Sequence, residues 1–148
     1  MSEQTILLVE DSPIDEELTL RVLEKNKIGN RVVVVRDGAE ALDYIFAKGI
    51  HASRDATKLP SVILLDLKLP KMGGLEVLRA IRAEERTKLL PVVILTSSKE
   101  DKDLAGGYSL GANSYIVKPV DFTQFSEAVR QLGLYWLLLN AAPPAPPK

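Results

Sequence analysis

The sequence predicts an α/β fold, a doubly wound, five-stranded parallel sheet with helices on both faces. Two observations carry this. Five short runs, TILLV (5–9), RVVVV (31–35), SVILL (61–65), PVVIL (91–95) and SYIV (114–117), are rich in Val, Ile and Leu. They lack the period-two alternation of a half-wet sheet, so they read as strands covered on both sides. Longer amphipathic segments separate them and open on helix-start signals, and strands alternating with helices pair in parallel.

The elements follow in order. After the first strand, Ser12 offers a cap, Pro13 suits the first helical position and Asp15 stands three residues past the cap. Asp37 with Glu40 repeats the pattern after the second strand. KGIHASRDATKLP (48–60) is a polar loop of unusual length, and His51 within it has no site role. Past the third strand, Gly73-Gly74 lead into a helix over 75–81. Ser98 with Asp101 opens the fourth helix, which Gly106 and Gly107 soften by about 1 kcal/mol each relative to Ala. Asp121 with Gln124 opens the last helix, where Phe122, Phe125, Val129, Leu132 and Trp136 fall on one face. The end AAPPAPPK reads as an extended polyproline-like tail. The domain is therefore expected over 1–140 and the tail over 141–148.

Composition narrows the function. The chain has 148 residues, 46% hydrophobic and 26% charged, with a net charge of −1. That leaves no basic footprint for nucleic acid. With no cysteine, disulfides, thiolate metal sites and cysteine nucleophiles are excluded. The N-terminus lacks the basic region of a signal peptide, and no apolar run approaches the roughly 20 residues of a membrane span. A cytoplasmic protein with neither nucleic-acid nor membrane partners is expected.

In a doubly wound sheet, ligands bind outside the carboxyl ends of the strands. The first strand delivers Glu10-Asp11 to that edge, the third Asp66, the fourth Thr96-Ser97 and the fifth Lys118-Pro119. Singly, each has a plain structural explanation: Asp11 could start a helix, Thr96 could bond the backbone, Lys118 could be solvated and Asp66 could make a turn. Jointly they crowd acids that need a compensating cation. Lys118 is one, and a hard divalent ion, Mg²⁺ or Mn²⁺, is the natural second. A carboxylate so placed can act as a nucleophile toward phosphorus, with the Thr96 hydroxyl and Lys118 receiving the phosphoryl charge. Asp66 is the best nucleophile because it stands alone after the central strand. Glu10 and Asp11 suit the metal, Asp11 directly and Glu10 through water.

LLVEDS, VILLDLKLPKMGG, ILTSS and GANSYIVKP, in this order, resemble the receiver domain of two-component response regulators over about residues 4–139. The resemblance implies a flavodoxin-like (βα)5 receiver in which Asp66 accepts phosphate from a phosphohistidine on a sensor histidine kinase. It implies that Asp11 and Asp66 bind the metal through side chains and Lys68 through its backbone carbonyl, with Glu10 completing the acidic pair. Lys118 becomes the family's lysine, its bond to Pro119 is expected to be cis, and Thr96 and Tyr115 match the switch pair. Lys68 and Ser98 occupy the two positions that tune dephosphorylation. Such a protein is a phosphoacceptor with self-catalysed transfer and dephosphorylation, not an enzyme acting on a separate substrate.

The chain ends soon after the last helix, so output is expected from the receiver's own surface. LGLYWLLLN is apolar nearly all round, which calls for burial beyond one core face. A symmetric dimer is the simplest partner. The long second crossover and the aromatic last helix look most like single-domain regulators of phytochrome-type histidine kinases. These dimerise through the fourth helix, fifth strand and fifth helix, which places Tyr108, Phe122, Tyr135 and Leu138 at the interface. Three alternatives stand beside this. A chemotaxis-type motor regulator is disfavoured by the apolar last helix. A haloacid-dehalogenase-like phosphatase needs a second aspartate where Lys68 stands. A flavin binder needs a phosphate-cradling first loop, unlike EDSPID.

Overall fold

The computed structural model describes residues 5–25, 31–97, 100–118 and 122–134. Its elements run β1 (Thr5–Val9), α1 (Pro13–Lys25), β2 (Arg31–Val35), α2 (Gly38–Phe46), β3 (Val62–Leu65), α3 (Gly74–Ala83), β4 (Val92–Thr96), α4 (Asp101–Ser109), β5 (Ser114–Val117) and α5 (Phe122–Leu134). The sheet has five strands in the order β2-β1-β3-β4-β5, every neighbouring pair parallel. The doubly wound fold expected from the apolar runs is what the chain adopts.

Alternation along each strand divides the core in two. Leu7, Val9, Ile63, Leu65, Val92 and Ile94 pack with Ala41, Ile45, Val77, Leu78 and Ile81 of α2 and α3. Ile6, Leu8, Val62, Leu64, Val93 and Leu95 turn the other way, onto Val22 and Leu23 of α1. The central strands β3 and β4 are buried at every position, which is why they carry no polar alternation. α5 packs beside α1. Among the described residues, no helix is long and apolar enough to cross a membrane.

The caps behave as their residue types require. Ser12 Oγ accepts from the Asp15 N–H at 3.3 Å, and Asp37 Oδ1 from the Glu40 N–H at 2.7 Å. Glu40 reaches back to accept from the Arg36 N–H at 3.2 Å. Several boundaries differ from expectation: β3 starts at Val62 rather than Ser61, and α3 runs Gly74–Ala83 rather than 75–81. β4 starts at Val92 and takes in Thr96, because Pro91 has no N–H for the ladder and contributes only its carbonyl, to Ile63 N at 2.9 Å. α4 is capped at Glu100, whose carbonyl accepts from Asp103 and Leu104, and not at Ser98. Ser98, Asp121, Trp136 and the tail lie outside the described residues.

The long crossover is more ordered than its polar composition suggests. A 3-10 turn, Gly49–His51, leads into a knot around Arg54. The Arg54 guanidinium donates to the carbonyls of Tyr44 (2.8 Å), Ile45 (3.2 Å) and Lys58 (2.6 Å). It also lies over the Tyr44 ring, 4.2 Å from its centroid. These bonds satisfy the last carbonyls of α2, which a helix end leaves open. His51 Nε2 lies 3.2 Å from Glu40 Oε2, tying the start of the crossover to α2.

The Gly73-Gly74 pair sets how closely α3 approaches the end of β3. A Cβ on Gly74 would stand 2.2 Å from the Asp66 carbonyl oxygen and 2.7 Å from Leu67 Cα. On Gly73 the Cβ would stand 3.7 Å from the Leu67 carbonyl oxygen, an ordinary contact. Gly74→Ala should therefore cost about 1–3 kcal/mol in chemical denaturation, whereas Gly73→Ala should stay within about 1 kcal/mol. Equal losses at both positions would show that this close approach does not control the junction.

Candidate functional site

The site follows from strand register. Val9 is paired with Leu65, so the next residues, Glu10 and Asp66, leave the sheet side by side. The ladder extends one step past the strands, with Glu10 N–H on Val35 O at 3.0 Å and Asp66 N–H on Val9 O at 3.1 Å. On the other side Thr96 pairs with Val117, and the Lys118 N–H donates to Thr96 O at 2.7 Å. Main-chain bonds thus fix four chemistry-bearing residues at one edge.

Glu10 and Asp66 are buried, whereas Asp11 is exposed. Carboxylate oxygens of all three lie within 4.8 Å of one another. The Lys118 ammonium enters this group, donating to Glu10 Oε1, to Asp66 Oδ2 at 3.1 Å and to Asp15 Oδ2 at 2.9 Å. Asp66 Oδ1 accepts from the Lys68 N–H at 3.2 Å. The Thr96 hydroxyl, fully buried, is a further hydrogen-bond partner of the Asp66 carboxylate.

These contacts set the charges. Burial pushes the Glu10 carboxyl up to about 7, helped by its hydrogen bond to Asp66, and Lys118 offsets only part of this. Burial would also raise Asp66, but the bonds from Glu10 and Thr96 and the Lys118 charge hold it below its ordinary value. Burial alone would lower Lys118; its bonds to Glu10 and Asp15 and the nearby carboxylate charges instead raise it. Below about pH 7, then, a protonated Glu10 donates toward an ionised Asp66, while Lys118 stays charged. Four carboxylic side chains facing one ammonium are short of positive charge. Their donor set is all oxygen, which suits a hard divalent cation.

The site residues expected from sequence are brought together in part. Glu10, Asp11, Asp66, Thr96 and Lys118 converge. The Lys68 N–H reaches the Asp66 carboxylate, while its ammonium points to α4, 3.7 Å from Asp103 Oδ2. Tyr115 is half-buried, its ring centroid 6.3 Å from that of the exposed Tyr108. Tyr135, Leu138, Pro119 and the side chain of Phe122 lie outside the described residues. Sequence reasoning placed Asp15 only as a cap partner. Its position one helical turn past Asp11 was the available signal that it faces the same edge.

Comparison with known proteins agrees with this geometry. The family model of the response regulator receiver domain matches residues 6–130. The response regulator Rcp1 of Synechocystis sp. is 34% identical over 142 residues, covering 96% of this chain and 95% of that protein. A Mn²⁺-bound structure of Rcp1 superposes with a TM-score of 0.86. The phosphorylated cyanobacterial phytochrome response regulator RcpA is 36% identical with a TM-score of 0.87, covering 97% of this chain and 100% of its own. The bacteriophytochrome response regulator RtBRR is 52% identical with a TM-score of 0.79, covering 97% of this chain and 86% of its own. With its sheet order, its acidic edge and these relatives in agreement, the chain belongs to the response regulator receiver domain family and is related to the phytochrome response regulators.

Proposed function

We propose that this protein is a response regulator whose Asp66 accepts a phosphoryl group from a phosphohistidine on a sensor histidine kinase. The observation that carries it is the Lys118 ammonium shared among Glu10, Asp15 and Asp66 at the edge of a buried sheet. A carboxylate held ionised beside a fixed cation and a buried hydroxyl is set up to attack phosphorus.

The transfer can be written on the chain's own atoms. An Asp66 carboxylate oxygen bonds to phosphorus as the phosphorus–nitrogen bond breaks, and the electron pair returns to the kinase imidazole. Lys118 and Thr96 stand on Asp66 and can follow the new phosphoryl oxygens. Asp11 and Asp66, with the Lys68 carbonyl and Glu10 beside them, would hold Mg²⁺ or Mn²⁺. When bound, the metal supplies the positive charge that the acids lack. Water attack on the product would restore Asp66, so both reactions are self-catalysed steps of a signalling cycle.

The phytochrome-type kinase, the cytoplasmic setting and the homodimer belong to the same proposal. The relatives RcpA and RtBRR support the kinase class, and they favour it over a motor regulator. Family membership likewise favours a receiver over the phosphatase and flavin-binding readings. The apolar LGLYWLLLN segment and the exposed Tyr108 support a dimer face that includes Tyr108, Phe122, Tyr135 and Leu138.

Three outcomes test these statements. Acetyl phosphate with Mg²⁺ should label the wild type and leave Asp66→Asn unlabelled; equal labelling would remove Asp66 as acceptor. Mg²⁺ at about 100 times its dissociation constant should add about 2.7 kcal/mol to folding stability. That corresponds to about 5–11 °C in a thermal scan, and Asp11→Asn should lose most of it. Leu138→Glu should lower the mass measured by light scattering from dimer to monomer, and an unchanged mass would reject that face.

A further inference from the structure

The two ends of Lys68 do different things. Its backbone N–H donates to Asp66 Oδ1 at 3.2 Å, while its ammonium lies 3.7 Å from Asp103 Oδ2. Asp103 sits in the first turn of α4, where its own N–H donates to Glu100 O at 3.0 Å. The Asp103 side chain is 13% exposed and that of Lys68 is 59% exposed. The carboxylate is therefore fixed by its helix, and the ammonium on its flexible stem is the partner free to move.

An ion pair this open is weak. A phosphoryl group on Asp66 carries up to about two negative charges, twice that of one carboxylate, and it would form on the residue that already holds the Lys68 backbone. We infer that Asp103 is a positioning residue that parks the Lys68 ammonium on α4 while Asp66 is unmodified and yields it to the phosphoryl oxygens afterwards. This rests on Asp66 being the phosphoacceptor.

Two consequences follow from the geometry. Hydrolysis forms a bond from water oxygen to phosphorus and breaks the bond from phosphorus to the Asp66 oxygen. The carboxylate leaves, and both water protons remain on the phosphate. An ammonium drawn onto the phosphoryl oxygens stands in the way of that water, so Asp103, by competing for it, shortens the life of the phosphorylated form. Loading Asp66 also removes a tie from α4. That helix meets the sheet closely at Gly107, where a Cβ would stand 2.6 Å from Ile94 Cδ1 and 3.3 Å from Tyr115 Cδ2. Release at its first turn is thus transmitted to the packing of Tyr115.

The test uses radiolabelled acetyl phosphate with Mg²⁺ and follows loss of label from the full chain. Asp103→Asn should lengthen the lifetime about two- to fivefold, the range for an exposed ion pair, and Asp103→Glu should keep the wild-type value. Lys68→Ala should shorten it, and adding Asp103→Asn to Lys68→Ala should change nothing further. An equal lengthening in the Lys68→Ala background, or none in the wild-type background, would overturn the inference. A second measurement needs no substitution: beryllofluoride with Mg²⁺ should shift the Asp103 carboxyl carbon resonance, and an unmoved resonance would also overturn it. If the wild type takes no label at all, the phosphoacceptor reading itself fails.

Discussion

Lys118 balances a group of carboxylates that the sheet register forces together. Glu10 and Asp66 emerge side by side from adjacent buried strands, and neither can move away without breaking main-chain bonds. Burying both as free anions would be costly. The strain is relieved by one ammonium bonded to both and by a proton that Glu10 keeps to about 7. The arrangement is chemically useful because the relief is incomplete. A site still short of positive charge, with an all-oxygen donor set, suits a divalent cation, and Lys118, Thr96 and the Lys68 N–H hold the Asp66 carboxylate in place.

The rest of the fold serves to hold that edge still on one side and to leave it adjustable on the other. β1, β3 and β4 are buried almost throughout, and Gly74 lets α3 rest against the backbone of Asp66 itself. Arg54 locks the end of α2 to the long crossover through three carbonyls. α4 is held differently. Its N-cap residue makes no side-chain capping hydrogen bond, two adjacent glycines lie in its interior, and an open ion pair joins its first turn to Lys68. Stability is unevenly distributed in folded proteins, and moving elements come from the less stable end. Here that end lies next to Tyr115 and Tyr108, where a change of packing would reach the surface.

Much of the site was legible in the sequence because strand ends were legible. An apolar run that stops at an acid, a Thr or a Lys locates that residue along the chain. The rule that ligands gather at the carboxyl ends of parallel strands then places the residues together. Glu10, Asp66, Thr96 and Lys118 were found this way. The start of β4 was misplaced by one residue, because Pro91 reads as apolar but cannot donate to the ladder. The α4 start was misplaced because Ser98 is the better cap by type, while the chain turns at Glu100.

What the sequence alone determined is local and periodic. The Val, Ile and Leu runs, the caps at Ser12 and Asp37, and the order of acids, Thr and Lys along the chain specify the doubly wound sheet and the members of its reactive edge. Tertiary structure decided which long side chain meets which distant partner. Asp15 on Lys118, Lys68 on Asp103 and Arg54 on the end of α2 join residues 103, 35 and up to 10 positions apart. Such pairings have no period and no fixed spacing. They arise only after the hydrophobic packing has set the distances between helices, strands and loops.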